Sequence, residues 1–386
     1  MKKRRICVIT GSRADYGVLY WLLRELDDDP DIELQIAVTG MHLSPEFGET
    51  YREIEKDGFA IDAKIDTLLS SDTPVGVAKS VGLGVIGFAD IFQRLKPDMV
   101  VLLGDRYEVF AAAQAALFAT IPVAHIAGGD STEGSFDEAI RHSITKMAHL
   151  HFVTNELAAR RVLQLGENPD CVVNVGSPGV DYIKRVQLLD RADLESKLDF
   201  KFCSKNLLVT FHPATLEMQP PGDQLRELFE ALDSFREEDI GLLFTKPNSD
   251  TGGRTIIRMI DDYVANHNKR RAFASLGQIV YLSLVGQVDV VVGNSSSGLY
   301  EVPSFCKPTV NIGQRQTGRL QASSVINCEP IAAEIVRSIQ EALTKDCSGT
   351  VNPYGDGDSS RRIASILKEI PNPGVFIKKH FFDLTT

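Results

Sequence analysis

The chain has 386 residues, a length that suits two domains of ordinary size. It is 43% hydrophobic and 24% charged, which is globular composition, and its formal net charge is −11. That acidic balance excludes a generic nucleic-acid binder, and any site for an anion must be a local exception built from a few Arg, His and backbone N–H groups.

One unit recurs along the chain. A short apolar strand ends in a polar or Gly-rich turn, and a helical stretch follows. Ile6 to Thr10 runs into Gly11 to Tyr16, Leu34 to Thr39 into Gly40-Met41-His42, and Met99 to Leu103 into Gly104-Asp105-Arg106. Val123 to Ile126 runs into Ala127 to Asp130, His151 to Val153 completes the inner sheet, and Val172 to Val175 gives an edge. After a charged helical stretch near Ile183 to Leu198 a second series begins. Leu207 to Phe211 runs into His212-Pro213, Gly241 to Thr245 into Lys246-Pro247-Asn248, Val288 to Val292 into Gly293 to Ser296, and Thr309 to Ile312 into Gly313-Gln314-Arg315. Continuous apolar strands alternating with helices predict parallel sheets covered on both faces. The expected fold is therefore α/β, with two Rossmann-like doubly wound domains. The first spans 1–178 with the tail 366–386 packing back on it, and the second spans 179–365.

Several motifs are set aside. Gly82 to Gly87 matches G-x-G-x-x-G but follows no strand, so these glycines are read as packing or loop residues. No Walker lysine motif occurs. His142, His149 and His151 lack a ligand-spaced carboxylate or Cys and are read as core or hydrogen-bonded histidines. Ser135 and Glu138 form a capping box. The six cysteines show no C-x-x-C pair, so neither a disulfide framework nor zinc is indicated. The apolar run after the basic start is too short for a signal peptide, and no run approaches a membrane span. A cytoplasmic protein with reduced thiols, without nucleic-acid or membrane partners, is expected.

Nearly every unusual polar residue falls just after a strand, the edge where open α/β sheets bind ligands. Gly293-Asn294-Ser295-Ser296-Ser297-Gly298 ends a strand and opens a helix, which makes a pyrophosphate cradle of small residues, backbone N–H groups and hydroxyls. Glu301, in the same helix, can take both hydroxyls of a ribose. Arg13, His212 and Arg315 supply donors to an anion. Asp105, Asp130, Glu133 and Asp137 form an acidic set suited to acid/base work on a neutral sugar ring. Asp137 reads equally as a helix N-terminal charge or an i, i+4 partner of Arg141. His42, Arg106, Asn248 and Asp250 are candidates for sugar contacts, although Arg106 also reads as the counter-charge of Asp105.

R-A-D-Y at 13–16, G-D-R at 104–106, H-I-x-G-G-D at 125–130, D-E-A-I-R-H at 137–142, H-P-A-T at 212–215, P-N-x-D at 247–250, G-N-S-S-S-G at 293–298 and G-x-R-Q-x-G-R at 313–319 occur in order. Together they resemble the hydrolysing branch of the UDP-N-acetylglucosamine 2-epimerase family, across nearly the whole chain. The resemblance implies a GT-B-like fold with its active site in the interdomain cleft, no metal or nicotinamide cofactor, and a homodimer or homotetramer. It implies cleavage of UDP-GlcNAc to UDP and N-acetylmannosamine for sialic-acid-type synthesis. It also implies phosphate contacts from Asn294, Ser295 and Ser296, a ribose contact from Glu301, anion contacts from Arg13, His212 and Arg315, and uracil contacts from Ser275 and Leu276. Some relatives carry an acidic residue where this chain has Ala127. The substitution shifts the acid/base role towards Asp130 or Glu133 and points to a modified sugar such as UDP-N,N′-diacetylbacillosamine, of the legionaminic acid pathway. A GT-B glycosyltransferase and a non-catalytic nucleotide-sugar sensor are the rival readings.

Overall fold

Strands buried on both faces must be nearly all apolar, and these are. In β1 (Arg4–Thr10), Ile6, Cys7, Val8 and Ile9 are fully buried. The structure, a computed structural model, describes residues 3–69, 73–131, 136–212, 221–246, 253–265, 267–274 and 276–383. β2 (Ile32–Thr39), β3 (Ala63–Ile65), β4 (Met99–Leu103), β5 (Val123–Ile126), β6 (Leu150–Val153) and β7 (Val172–Asn174) join β1 in a parallel sheet of order β3-β2-β1-β4-β5-β6-β7. β8 (Lys205–Thr210), β9 (Ile240–Thr245), β10 (Arg270–Phe273), β11 (Val290–Gly293), β12 (Thr309–Ile312) and β13 (Val325–Cys328) form a second parallel sheet of order β10-β9-β8-β11-β12-β13. Both orders are doubly wound. The direction of winding reverses between β1 and β4 in one sheet and between β8 and β11 in the other, so each sheet opens a crevice beyond those strand ends.

The chain divides into two compact units, Met1–Lys184 with Tyr354–Thr386, and Arg185–Pro353. The first unit thus regains the chain at Tyr354, earlier than the tail expected from 366. A buried carboxylate explains the earlier return. Asp181 accepts the backbone N–H groups of Ser359 and Ser360 at the start of the Ser359–Glu369 helix. Ile363 and Leu367 of that helix then enter the core with Leu19 and Leu23.

β3, β10 and β13 were not anticipated. All three are sheet edges, and edge strands carry the weakest apolar signal: β10 has no fully buried residue. The stretch near Ile183 to Leu198 is two helices, Pro178–Arg185 and Arg191–Leu198. Gly82 to Gly87 lie in a 22-residue helix, Pro74–Leu95. That helix is long and apolar enough to cross a membrane by length and composition, which corrects the expectation that no run approaches a span. Here it is a layer of the first unit. A Cβ on Gly84 would lie 2.8 Å from Ala111 Cβ, and one on Gly87 would lie 2.5 Å from Ile65 Cγ2, so these glycines serve close packing.

The tail is fastened by charge. Lys379 Nζ donates to the carbonyls of Lys146 (2.8 Å) and Ala148 (2.6 Å), which end the Asp137–Met147 helix, and it pairs with Glu167 at 2.6 Å. Glu167 is 1% exposed and also meets Lys146 Nζ (2.7 Å) and His151 Nε2 (2.9 Å). Burial pushes its carboxyl up, but these three donors outweigh burial and bring it down to about 2, against 4.5 for a free glutamate. A carboxyl depressed by folding contributes stability that is present above its free value and lost as pH falls through its folded value. Urea unfolding midpoints should therefore fall between pH 4.5 and 2. Glu167→Gln should cost about 2 kcal/mol at pH 7, because it removes the charged acceptor shared by two partly exposed ammonium groups and His151, and should flatten that acid slope. A variant whose slope matched the wild type would show that Glu167 does not carry it.

Candidate active site

In the second unit the site is built on the turn after β11. Gly293 has φ +136, and a Cβ there would lie 1.9 Å from the Thr210 carbonyl oxygen, so the close approach of β11 to the end of β8 requires glycine. Asn294 follows, almost fully buried. Its side-chain carbonyl accepts His212 N–H at 2.7 Å, and its amide donates to the His212 carbonyl at 2.9 Å. Its own backbone carbonyl accepts Arg315 Nη1 (3.1 Å) and Gln316 Nε2 (2.8 Å). The turns after β8, β11 and β12 are thereby locked together, and His212, Asn294 and Arg315 converge as the sequence suggested. Asn294 itself is a clamp, since its side chain is taken up by the His212 backbone.

Ser295 and Ser296 lead into a helix of only four residues, Ser297–Tyr300. One turn carries little macrodipole, so the expected helix-end cradle rests on local N–H and O–H groups instead. Among the described residues no backbone carbonyl accepts Ser295 or Ser296 N–H. Ser295 Oγ accepts Ser297 N–H at 3.3 Å. Glu301 ends this turn. Burial raises its carboxyl above the usual range, a bond from Ser297 opposes that, and its Oε2 is buried with no partner. A buried carboxylate oxygen left open is an acceptor in want of a donor. Tyr281 OH donates to Ser297 Oγ at 2.6 Å, a contact that was not foreseen. Leu276 precedes the Gly277–Gln287 helix with its side chain packed on the core. Ser275, Asn248 and Asp250 lie outside the described residues.

In the first unit Asp105, Glu138 and the Asp130 backbone meet at Arg141, whose side chain is 6% exposed. Arg141 Nη2 pairs with Asp105, and Nη1 reaches the Asp130 carbonyl (2.8 Å) and Glu138 (3.0 Å). Burial raises the Asp105 carboxyl, Arg141 pulls it back, and the charge of nearby Asp137 pushes it up again; the net is a raised value. Asp130 is held from the far side by Thr154 Oγ1 (2.7 Å) and Asn155 Nδ2 (3.3 Å). Arg141 was legible only as a possible partner of Asp137. Its burial and its contact with Asp105 depend on tertiary packing.

Other candidates land elsewhere. Arg106 acts on Asp105 only through space. Its guanidinium forms a two-pronged pair with the buried Glu108, at 3.2 and 3.0 Å. His42 is fully buried between Thr10 Oγ1 (2.9 Å) and Thr50 Oγ1 (2.8 Å), and burial lowers it to about 4. Both its ring nitrogens are used, so it braces the turns after β1 and β2 and is not available for sugar. Arg13 is exposed at the start of its helix and meets Glu53 at 3.1 Å. Glu133 and Ser135 are outside the described residues. Glu138 accepts from Ser131 Oγ (3.1 Å), Arg141 and His142 (3.1 Å); the capping box read with Ser135 lies outside the described residues.

The chain is 44% identical over 330 residues to the GDP/UDP-N,N′-diacetylbacillosamine 2-epimerase (hydrolyzing) of Campylobacter jejuni, covering 85% of each chain. It is 36% identical over 368 residues to the UDP-N,N′-diacetylbacillosamine 2-epimerase (hydrolyzing) of Legionella pneumophila, covering 95% of this chain and 96% of that one. A solved structure of Neisseria meningitidis UDP-GlcNAc 2-epimerase bound to UDP-GlcNAc superposes with a TM-score of 0.76 at 18% identity, over 95% of this chain and 100% of that one, a likeness of fold. With the UDP-N-acetylglucosamine 2-epimerase family model matching residues 24–368 as well, the chain belongs to that family and is a UDP-sugar 2-epimerase of the hydrolysing type.

Proposed function

We propose that the substrate is UDP-N,N′-diacetylbacillosamine, with UDP-GlcNAc as the second reading. The names of the Campylobacter and Legionella relatives favour the first, and the name of the family favours the second. The observation that carries the chemistry is the Arg141-centred carboxylate cluster. Transfer of a sugar to an acceptor has no need of paired carboxylates, whereas inversion at C2 must remove one proton and return another on the opposite face.

In this reading the second unit holds UDP. The Ser295 and Ser296 N–H groups, with His212 and Arg315, stabilise the diphosphate as it leaves. Glu301, with its open buried oxygen, takes the ribose hydroxyls. In the first unit Asp105, made more basic by burial, takes the C2 proton. The C1–O bond to UDP breaks as the C1–C2 double bond forms. Water then adds its hydroxyl at C1, and Asp137 directs a proton to the other face of C2. The products are UDP and the free 2-epimeric sugar, and no metal or organic cofactor is called on. Six cysteines without a disulfide suit a reducing compartment, and we place the enzyme in the cytoplasm.

We also propose a homo-oligomer joined through the Pro74–Leu95 and Tyr107–Phe118 helices. Leu83 and Ile86 sit one turn apart on the first, with Ile86 66% exposed. Leu117 and Phe118 end the second, with Phe118 80% exposed. Light scattering should give a multiple of the 42.4 kDa chain, and Ile86→Glu with Phe118→Glu should release monomer. A wild-type monomer, or an oligomer indifferent to both changes, would overturn this interface.

Incubation with each UDP-sugar and no acceptor should release UDP and the free 2-epimer, read by NMR, with one solvent deuterium at C2 in D₂O. A product without deuterium would sink the elimination scheme. Asp105→Asn should lower kcat by about 10²–10⁴-fold and leave UDP binding near the wild-type value. Equal loss of UDP affinity would refute the base role.

A further inference from the structure

The strongest unassigned feature is a buried histidine that touches both acidic segments of the first unit. His125, in β5, is fully buried and faces away from Ala124 and Ile126, which enter the apolar core. A polar ring in a strand covered on both faces is costly unless both nitrogens are bonded. Both are. Nε2 lies 2.8 Å from the Gly104 carbonyl oxygen, and Nδ1 lies 3.1 Å from Thr145 Oγ1. Burial pushes this imidazole down to about 3, so it is neutral. A carbonyl can only accept, so Nε2 carries the proton and Nδ1 accepts from the Thr145 hydroxyl.

The two partners give the ring its meaning. Gly104 stands immediately before Asp105, with φ +74, and its N–H donates to the Ile126 carbonyl at 3.0 Å. The Gly104–Asp105 turn is thus held by β5 at both its N–H and its carbonyl. Thr145 lies on the helix Asp137–Met147, where Asp137, Arg141 and Thr145 follow at i, i+4 and i+8 on one face. The first glycine of the neighbouring turn leaves room for the link. A Cβ on Gly128 would lie 2.8 Å from Thr145 Oγ1 and 3.0 Å from His125 Nδ1.

We propose that His125 is a positioning residue for the epimerase reaction. It ties the Asp105 turn to the helix bearing Asp137 and Arg141, and so fixes the spacing of the two carboxylates. The proposal rests on the catalytic reading of Asp105 and Asp137 given above. The ring touches neither substrate nor reacting atoms. Its part is to hold the spacing against which a proton is taken from one face of C2 and returned to the other, where a displacement near 1 Å costs about 10²-fold.

The test uses four variants of the full chain, three single and one double. His125→Phe keeps the ring volume and removes both bonds. Thr145→Val is isosteric and removes one. His125→Gln restores a donor and an acceptor. The expected result for His125→Phe is a fall in kcat of about 10–100-fold, with KM and UDP affinity within about two-fold, the range a loss confined to the chemical step allows. Thr145→Val should fall in the same sense, His125→Gln should recover part of the loss, and the double variant His125→Phe/Thr145→Val should be no worse than His125→Phe alone. The acid limb of kcat against pH should move in both single variants, because the distance from Asp105 to Arg141 and Asp137 changes. Unchanged kcat in Thr145→Val, additive losses in the double variant, or an unmoved acid limb would overturn the proposal. Should His125→Phe fail to fold, Thr145→Val decides. NMR titration of the Asp105 carboxyl in Thr145→Val gives an answer that needs no turnover: a shifted midpoint supports the link and an unmoved one refutes it. A wild type that leaves every UDP-sugar intact would refute the catalytic reading and leave that titration standing.

Discussion

A parallel sheet covered on both faces has no room for polar chemistry along its strands, and this constraint places everything else. Every strand interior in both units must be apolar, so the polar side chains that act on a ligand are pushed to the turns beyond the carboxyl ends. Where the winding reverses, between β1 and β4 and between β8 and β11, no connection covers those ends. Arg13 and Asp105 follow the first pair of strands, and His212 and Gly293 to Ser296 follow the second. Among the polar side chains that do enter the sheet interiors, His125 and His151 are bonded on at least one ring nitrogen and act by holding turns or the tail in place.

The chain must also hold an anion while carrying a net charge of −11. In the proposed reading its solution in the second unit relies on backbone N–H groups and turn geometry, with His212 and Arg315 drawn in through Asn294. The first unit faces the opposite difficulty, several carboxylates at close quarters. Arg141 answers it by meeting Asp105, Glu138 and the Asp130 carbonyl at once. A single buried guanidinium keeps these groups together and opposes, without cancelling, the rise that burial gives Asp105. Arg106, adjacent in sequence to Asp105, is hydrogen-bonded to Glu108 and adds only its through-space charge.

Strand-ending turns were legible because apolar runs and Gly-rich punctuation are local signals. β4, β5 and β12 match the residues read from sequence, and the missed β3, β10 and β13 are edges whose burial comes from one neighbour only. The gathering of His212, Asn294 and Arg315 was legible for the same reason: all three follow strands of one sheet. What could not be read was which charge meets which. Asp105 lies next to Arg106 in the chain and pairs with Arg141, and His42 looked like a ligand-facing residue until both its nitrogens were found on threonines. Such pairings depend on how a helix rotates against a sheet, which no short spacing encodes.

Ala127 shows why the acid/base assignment belongs to the cluster. Its backbone is left-handed, at φ +63, which costs an L-residue about 1 kcal/mol. Its N–H is fixed to the Phe152 carbonyl at 2.9 Å. The turn therefore keeps its shape without a carboxylate at this position. Asp130, three residues on, is held by Thr154 and Asn155, so it is anchored as an acceptor at the rim of the set. The remaining carboxylate whose proton affinity is visibly raised is Asp105, and burial, Arg141 and Asp137 set that affinity jointly. In such a group the affinity of one member is a property of all. The loss of a carboxylate at 127 is then tolerable as long as the spacing of Asp105, Asp137 and Arg141 is preserved, and that spacing runs through the Gly104 carbonyl, His125 and Thr145.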